Sequence, residues 1–214
     1  MNTMTAPKPF EQIQEMLKEA QSIYIVGCGT CATICHTGGK AEVRAMKDKL
    51  EEMGKTVTGW MVIPTACDDM TKEALESEAD RLDKADAILV MTCGFGVQTV
   101  ASSCDIHVYP ALDTLFIGME GAPGHFSEKC AQCGECVLAW TGGICPVICC
   151  TKGLLNGPCG GTNNGKCEVD PEKDCAWTLI YQRLERLGKL DSMRTYRPPK
   201  NFQAVVRPGK VVVD

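Results

Sequence analysis

Residues 130–150 read C-A-Q-C-G-E-C-V-L-A-W-T-G-G-I-C-P-V-I-C-C, and three more cysteines follow at Cys159, Cys167 and Cys175. Thiols at this density serve as metal ligands far more often than as packing residues. Cys130, Cys133 and Cys136 repeat the C-x2-C-x2-C run with which bacterial ferredoxins hold iron–sulfur clusters. Cys145-Pro146 echoes the C-P that closes that run. Eight residues separate Cys136 from Cys145, where the ferredoxin run has about three. The chemistry points to iron–sulfur binding in a wrapping that differs from an ordinary ferredoxin. Residues 121–175 hold ten glycines, four prolines and nine cysteines with little periodicity. Such a segment buries too little apolar surface to offset its chain entropy, so metal ligation is expected to organise it.

Upstream the pattern changes. Phe10, Ile13, Leu17 and Ala20 fall at helical spacing behind Pro9, which suits a first helical turn. S-I-Y-I-V at Ser22–Val26 reads as a short buried strand. Val43, Met46, Leu50 and Met53 mark a helix closed by Gly54. Thr56–Ile63 is a second strand, and Leu75, Ala79 and Leu82 mark a further helix. Ala87–Met91 is a third strand, followed by a short helix over Val97–Ser103 and a fourth strand at His107–Tyr109. Thr114–Ile117 reads as a short extended piece. Strands alternating with helices predict a parallel sheet covered on both faces.

The expected fold is therefore α/β: a flavodoxin-like parallel sheet domain over residues 1–120, then a loop-rich, Cys-rich iron–sulfur domain over 121–190. A final helix carries the stripe Trp177, Ile180, Leu184 and Leu187, with Asp174 as its cap and Gly188 as its stop. Residues 191–214 read as an extended tail. Val205, Val206 and Val211–Val213 give it apolar surface that would pack on this chain or on a partner.

A [4Fe–4S] cube takes four thiolates. The later segment offers nine, and the neighbours Cys149 and Cys150 cannot easily aim at one cube. With Cys150 spare, Cys130, Cys133, Cys136, Cys145, Cys149, Cys159, Cys167 and Cys175 supply two [4Fe–4S] clusters. The first three share one cube, and the distal closures stay open. Structural zinc on sets of four cysteines is the alternative. In open parallel sheets ligands gather at the carboxyl ends of strands. Cys28, Cys67 and Cys93 each follow a strand, and Cys31 and Cys35 lie in the turn after the first. These five form a second candidate site, for a third [4Fe–4S] cluster or zinc, with unliganded thiols as the bland reading. Cys104 reads as a buried residue. His36 reads as a turn histidine rather than a ligand, and His107 and His125 have no catalytic partner. G-F-G at Gly94–Gly96 is as well explained by a tight turn as by a phosphate loop.

The chain has 214 residues, 44% apolar content, fifteen cysteines and a formal charge of −5. That charge argues against phosphate-driven nucleic-acid binding. No run is long and apolar enough to span a membrane. An odd cysteine count without an apolar leader favours reduced thiols in the cytoplasm over a disulfide framework.

T-G-G-I-C-P at Thr141–Pro146, K-G-L-L-N-G-P-C-G-G at Lys152–Gly161 and G-K-C-E-V at Gly165–Val169 resemble the accessory iron–sulfur subunit (MetV-type) of heterodimeric methylenetetrahydrofolate reductases from acetogenic bacteria. G-C-G-T-C-A-T-I-C-H-T-G-G at Gly27–Gly39 and C-G-F-G-V-Q-T-V at Cys93–Val100 resemble it too, so the likeness runs over about residues 10–190. The resemblance implies a non-catalytic electron-transfer subunit in one-carbon metabolism. It would relay electrons to a flavin-containing catalytic partner that reduces methylenetetrahydrofolate to methyltetrahydrofolate, with FMN in that partner and not in this chain. Ferredoxin, an NADH-oxidising flavoprotein or a heterodisulfide-reductase-like assembly would be the electron donor. The eight later cysteines would hold the clusters, and Cys28, Cys31, Cys35, Cys67 and Cys93 the N-terminal site. Two other readings stand beside it: a zinc-stabilised anchoring module, and an iron–sulfur enzyme acting alone.

Overall fold

The computed structural model describes residues 2–212. The chain divides into two compact units, Met1–Phe126 and Ser127–Asp214.

The first unit runs β1 (Asn2–Pro7), α1 (Phe10–Met16), β2 (Ser22–Cys28), α2 (Cys31–Ile34), α3 (Lys40–Glu52), β3 (Thr56–Ile63), α4 (Thr71–Glu76), α5 (Ala79–Leu82), β4 (Ala87–Met91), α6 (Gly94–Ser102), β5 (His107–Pro110) and β6 (Leu112–Ala122). β7 (His125–Glu128) carries the chain across the boundary. Four strands form a parallel sheet in the order β3-β2-β4-β5. This is the order 2-1-3-4 of the parallel strands, as at the start of a flavodoxin-like sheet. The central strands explain the apolar runs, since Ile23, Tyr24, Ile25 and Val26 of β2 and Ile88, Leu89 and Val90 of β4 are fully buried. Each such side chain contributes about 1.5–3 kcal/mol by leaving water.

The sequence led to a parallel sheet alone. The structure adds a second sheet, β1-β6-β7, with β1 antiparallel to β6. Thr114–Ile117 is the middle of an eleven-residue strand, not a short piece. β1 carries no long apolar run, and it is a strand only because β6 lies beside it. Residues 121–128, counted by their glycines with the loop-rich part, are partly strand.

Helix limits also shift. α1 stops at Met16 rather than near Ala20, and Pro9 is its N-cap. The Lys55 amine donates to the carbonyls of Leu17, Lys18 and Ala20 at 3.0, 3.3 and 2.6 Å in the turn that follows it. Leu17 stays buried regardless. The stripe Leu75–Leu82 is two short helices, α4 and α5.

The second unit holds α7 (Pro146–Cys149) and α8 (Ala176–Arg186), with single 3-10 turns at Leu138–Trp140, Leu190–Arg194 and Phe202–Ala204. Its apolar cluster is built on Trp177, Ile180 and Leu184, with Ile144, Cys150, Leu154 and Met193 packed around them. Trp177 Nε1 donates to the Leu154 carbonyl at 3.0 Å. The cap of α8 is Cys175, not Asp174. Asp174 instead pairs with Lys166 at 2.8 Å. The tail is not simply extended, since two of the turns lie in it. Val213, counted among its apolar residues, lies outside the described residues.

Asp86 ties β4 to the start of β2 by accepting from the amides of Gln21 and Ser22 at 2.9 and 2.8 Å. Those bonds, chiefly the Ser22 amide, hold its carboxyl below its ordinary value of 3.8. A depressed folded pKa contributes stability that is present above the unfolded value and lost as pH falls through the folded one. Asp86→Asn is expected to flatten the loss of stability as pH falls below the ordinary carboxylate range, read as urea midpoints along an acid series.

Candidate metal centres

The parallel register sets the first centre. Cys28 lies opposite Ile63 and Gly27 opposite Met91. Cys93 is therefore two residues past the matched end of β4, and Cys67 four past that of β3. All three reach the same carboxyl-end edge, beside the point where the strand order reverses between β2 and β4. Here Cys28, Cys31, Cys67 and Cys93 line one cavity of about 160 Å³ with Thr30, Thr65, Thr92 and Phe95. Cys28 and Cys93 are 7% exposed.

Close backbone contact holds the loop after β2. The Cys28 amide donates to the Gly38 carbonyl at 3.0 Å, and the Gly29 amide donates to Ile63 at 2.8 Å. Thr33 Oγ1 donates to the Cys28 carbonyl at 2.7 Å. Thr30 Oγ1 donates to Pro64 at 3.1 Å and sits 3.3 Å from Cys28 Sγ. The Thr37 hydroxyl, buried, shares a 2.7 Å hydrogen bond with Thr5 of β1. Gly38 lies directly on the end of β4, where a Cβ would collide with the Met91 carbonyl. T-G-G at Thr37–Gly39 is a packing requirement of this loop.

The thiols feel one another. Burial pushes the Cys67 thiol up, and the charges of Cys93, Cys28 and Cys31 push it further. Four thiolates this close repel, and a bound cation relieves that repulsion. Cys35 is not part of the set. Its Sγ faces the Thr3 carbonyl at 3.8 Å and Met4 Sδ at 3.9 Å, and it lines a separate cavity with His36, Phe116 and Glu120. His36 is a turn residue at φ +54°.

In the second unit Cys130, Cys133, Cys136 and Cys145 line a cavity of about 220 Å³. Cys145 is the N-cap of α7, with Pro146 in its first turn. The Cys149 amide donates to the Cys145 carbonyl at 2.9 Å, so this single turn sets Cys149 beside Cys145. Burial raises the Cys149 thiol, the Cys145 charge adds to it, and Lys129 opposes. Cys150 and Cys175 both pack against the Trp177–Ile180–Leu184 cluster. Cys104 donates to the Val100 carbonyl at 3.4 Å.

Several thiols share a local device that the sequence reading missed. The amide two residues on points at the sulfur: Gln132 toward Cys130 at 3.4 Å and Gly161 toward Cys159 at 3.5 Å. Cys167 is held below the ordinary thiol value by the Thr151 hydroxyl and by the Val169 and Asp170 amides. Burial pushes Cys175 up, but Thr178, Thr162 and the Trp177 amide outweigh it and leave it lowered. Hydrogen bonds of this kind favour the anionic sulfur. Only one part of it was legible locally, in C-A-W-T at Cys175–Thr178, since Thr151 serves Cys167, sixteen residues further on.

All fifteen cysteines are free thiols. Among the described residues no group of three His, Cys, Asp or Glu side chains is placed to hold a single metal ion. Cys28, Cys31, Cys67 and Cys93 line one cavity, and Cys130, Cys133, Cys136 and Cys145 line another. Tetrahedral zinc with Zn–S near 2.3 Å needs sulfurs about 3.8 Å apart. Two rings of four thiols match in number what a [4Fe–4S] cluster requires.

The arrangement defines an α/β unit with a thiol-ringed sheet edge, joined to a Cys-rich unit with little core of its own. Residues 109–203 match the family described as "Methylene-tetrahydrofolate reductase C terminal". The match covers less than half of the chain, and it supports a subunit related to methylenetetrahydrofolate reductase, with a role within such a complex. It takes in the whole Cys-rich stretch and continues past residue 190 into the tail. Neither a curated protein sequence nor a solved structure matches the chain. No helix among the described residues is long and apolar enough to cross a membrane.

Gly38→Ala is expected to cost about 2 kcal/mol or more, because backbone at the end of β4 must move to admit the methyl group. Urea unfolding followed by circular dichroism measures it. An unchanged midpoint would show that the loop does not need its close approach.

Proposed function

We propose that this chain is a non-catalytic electron-transfer subunit of a methylenetetrahydrofolate reductase complex. The observation that carries the reading is the ring of Cys130, Cys133, Cys136 and Cys145 around one cavity, within the stretch that matches the reductase family. These four would hold one [4Fe–4S] cluster. Cys149, Cys159, Cys167 and Cys175 would hold a second. Cys28, Cys31, Cys67 and Cys93 are the ligands for a third, with zinc the other occupant to test.

A bound cluster supplies a one-electron redox centre. The chain's own part is to shape that centre. Amides aimed at the sulfurs of Cys130 and Cys159 stabilise negative charge there and so favour the reduced state. Thr151 and Thr178 orient Cys167 and Cys175. His107 stacks on Tyr109 at 4.3 Å on strand β5 and has no acid–base role in this reading. The electrons would pass to a flavin held by the catalytic partner, which reduces methylenetetrahydrofolate. Ferredoxin, an NADH-oxidising flavoprotein or a heterodisulfide-reductase-like assembly would supply them. A reducing cytoplasm, where thiols persist as ligands, suits this role.

Anaerobic purification with iron, sulfide and zinc analysis tests the reading. The expected content is about eight irons per chain from the later cysteines, and about twelve if the strand-end site also holds a cluster. Cys145→Ser should remove about four of them, whereas Cys150→Ser and Cys104→Ser should remove none. A colourless protein with stoichiometric zinc and no iron would sink the proposal.

A further inference from the structure

The tail has two unlike edges. Its inner edge is pinned. The Arg197 amide donates to Asn156 Oδ1 at 2.8 Å, and Asn156 Nδ2 donates to the Arg197 carbonyl at 2.9 Å. The Arg197 guanidinium lies over the Trp140 ring at 3.8 Å. The Asn201 amide donates to Glu135 Oε2 at 2.7 Å, and Lys200 Nζ donates to the Glu135 carbonyl. Asn201 also caps the turn Phe202–Ala204, accepting from the Gln203 amide at 3.0 Å. Ala204 and Val205 then sit against Gly134, where a side chain would meet them. Gly134 and Glu135 line the cavity ringed by Cys130, Cys133, Cys136 and Cys145. The tail is thus a strap fastened over the loop that carries three of these thiols.

The outer edge is bare. Tyr196 is 74%, Phe202 75% and Val206 71% exposed, and Val211 and Val212 more so. Five large apolar side chains left in water within 17 residues are an unpartnered surface, not scattered chance exposure. The same stretch is basic. Ser192–Val212 holds Arg194, Arg197, Lys200, Arg207 and Lys210 and no acidic residue, in a chain whose formal charge is −5. Arg207 and Lys210 are exposed.

We infer that residues 196–212 are the docking segment for the flavin-bearing reductase subunit, which offers them an apolar groove with an acidic rim. The inference rests on the reading under Proposed function. Three features select a protein groove. The strap is irregular and held between Arg197 and Ala204 by specific hydrogen bonds, so Tyr196 and Phe202 are presented with little further entropy to lose. Aromatic anchors among isolated cations are the composition of interface centres and rims. The segment lies on the lid of a thiol-ringed cavity, so docking here sets the partner beside the proposed electron donor. A membrane-surface element would instead be an amphipathic helix with a basic face, and no helix forms here beyond one 3-10 turn.

The test uses the full chain, purified anaerobically, and the flavin-bearing methylenetetrahydrofolate reductase of the same organism. Phe202→Ala with Val206→Ala, and separately Arg207→Glu with Lys210→Glu, leave every pinning contact in place. Each pair is expected to raise the Kd at least about tenfold with iron content unchanged, and the charge reversal should flatten the salt dependence of binding. Binding by both variants equal to that of the unaltered chain would overturn the docking segment and leave the electron-transfer reading standing. No binding by the unaltered chain would overturn both. Tail-dependent sedimentation with vesicles of one-third anionic phospholipid, at unchanged affinity for the reductase, would also overturn it.

Discussion

A core of three buried side chains cannot by itself hold a glycine-rich chain in one conformation. Trp177, Ile180 and Leu184 are that core in the second unit. At about 25 cal/mol per Å² of apolar surface, three side chains offset the ordering of only a few residues. Ligation at its thiols would supply the order that this core lacks, and the amides aimed at sulfur would suit it. A folded state that depends on ligation couples metal affinity to stability.

The first unit solves the same problem by other means. Its core is extensive, and the parallel sheet is rigid enough to present Cys28, Cys67 and Cys93 at one edge without help. Burial first, and then the charges of the neighbouring thiols, raise the Cys67 thiol there. The site sits where doubly wound sheets bind their ligands, because strand order reverses there and the connecting loops diverge. The fold supplies the crevice, and the cysteines give it a different chemistry from a nucleotide site.

Much of this was legible residue by residue. Short apolar runs at Ser22–Val26 and Ala87–Met91 could only be buried central strands, and the structure has them so. β1 was not legible because N-T-M-T-A-P is short and its alternation rests on Met4 and Ala6 alone, and its strand character comes from pairing with β6. α1 stops at Met16, and Lys55, thirty-five residues beyond Ala20, binds the carbonyls of the turn that follows it. Asp174 had the right residue type for a cap, yet the ion pair with Lys166 draws it elsewhere.

The sequence by itself determined which chemistry is available: fifteen cysteines, their spacing, and the strand ends that carry three of them. Spacing is local, so C-x2-C-x2-C and C-P could be recognised without knowing where the chain goes. Only the tertiary structure decided the grouping. It lined one cavity with Cys130, Cys133, Cys136 and Cys145, and put Cys35 on a different cavity from Cys28 and Cys31. It also showed that the tail is a strap with one pinned edge and one free edge. The physical reason is that ring membership depends on side-chain direction and on register between distant segments, and neither is written in the spacing along the chain.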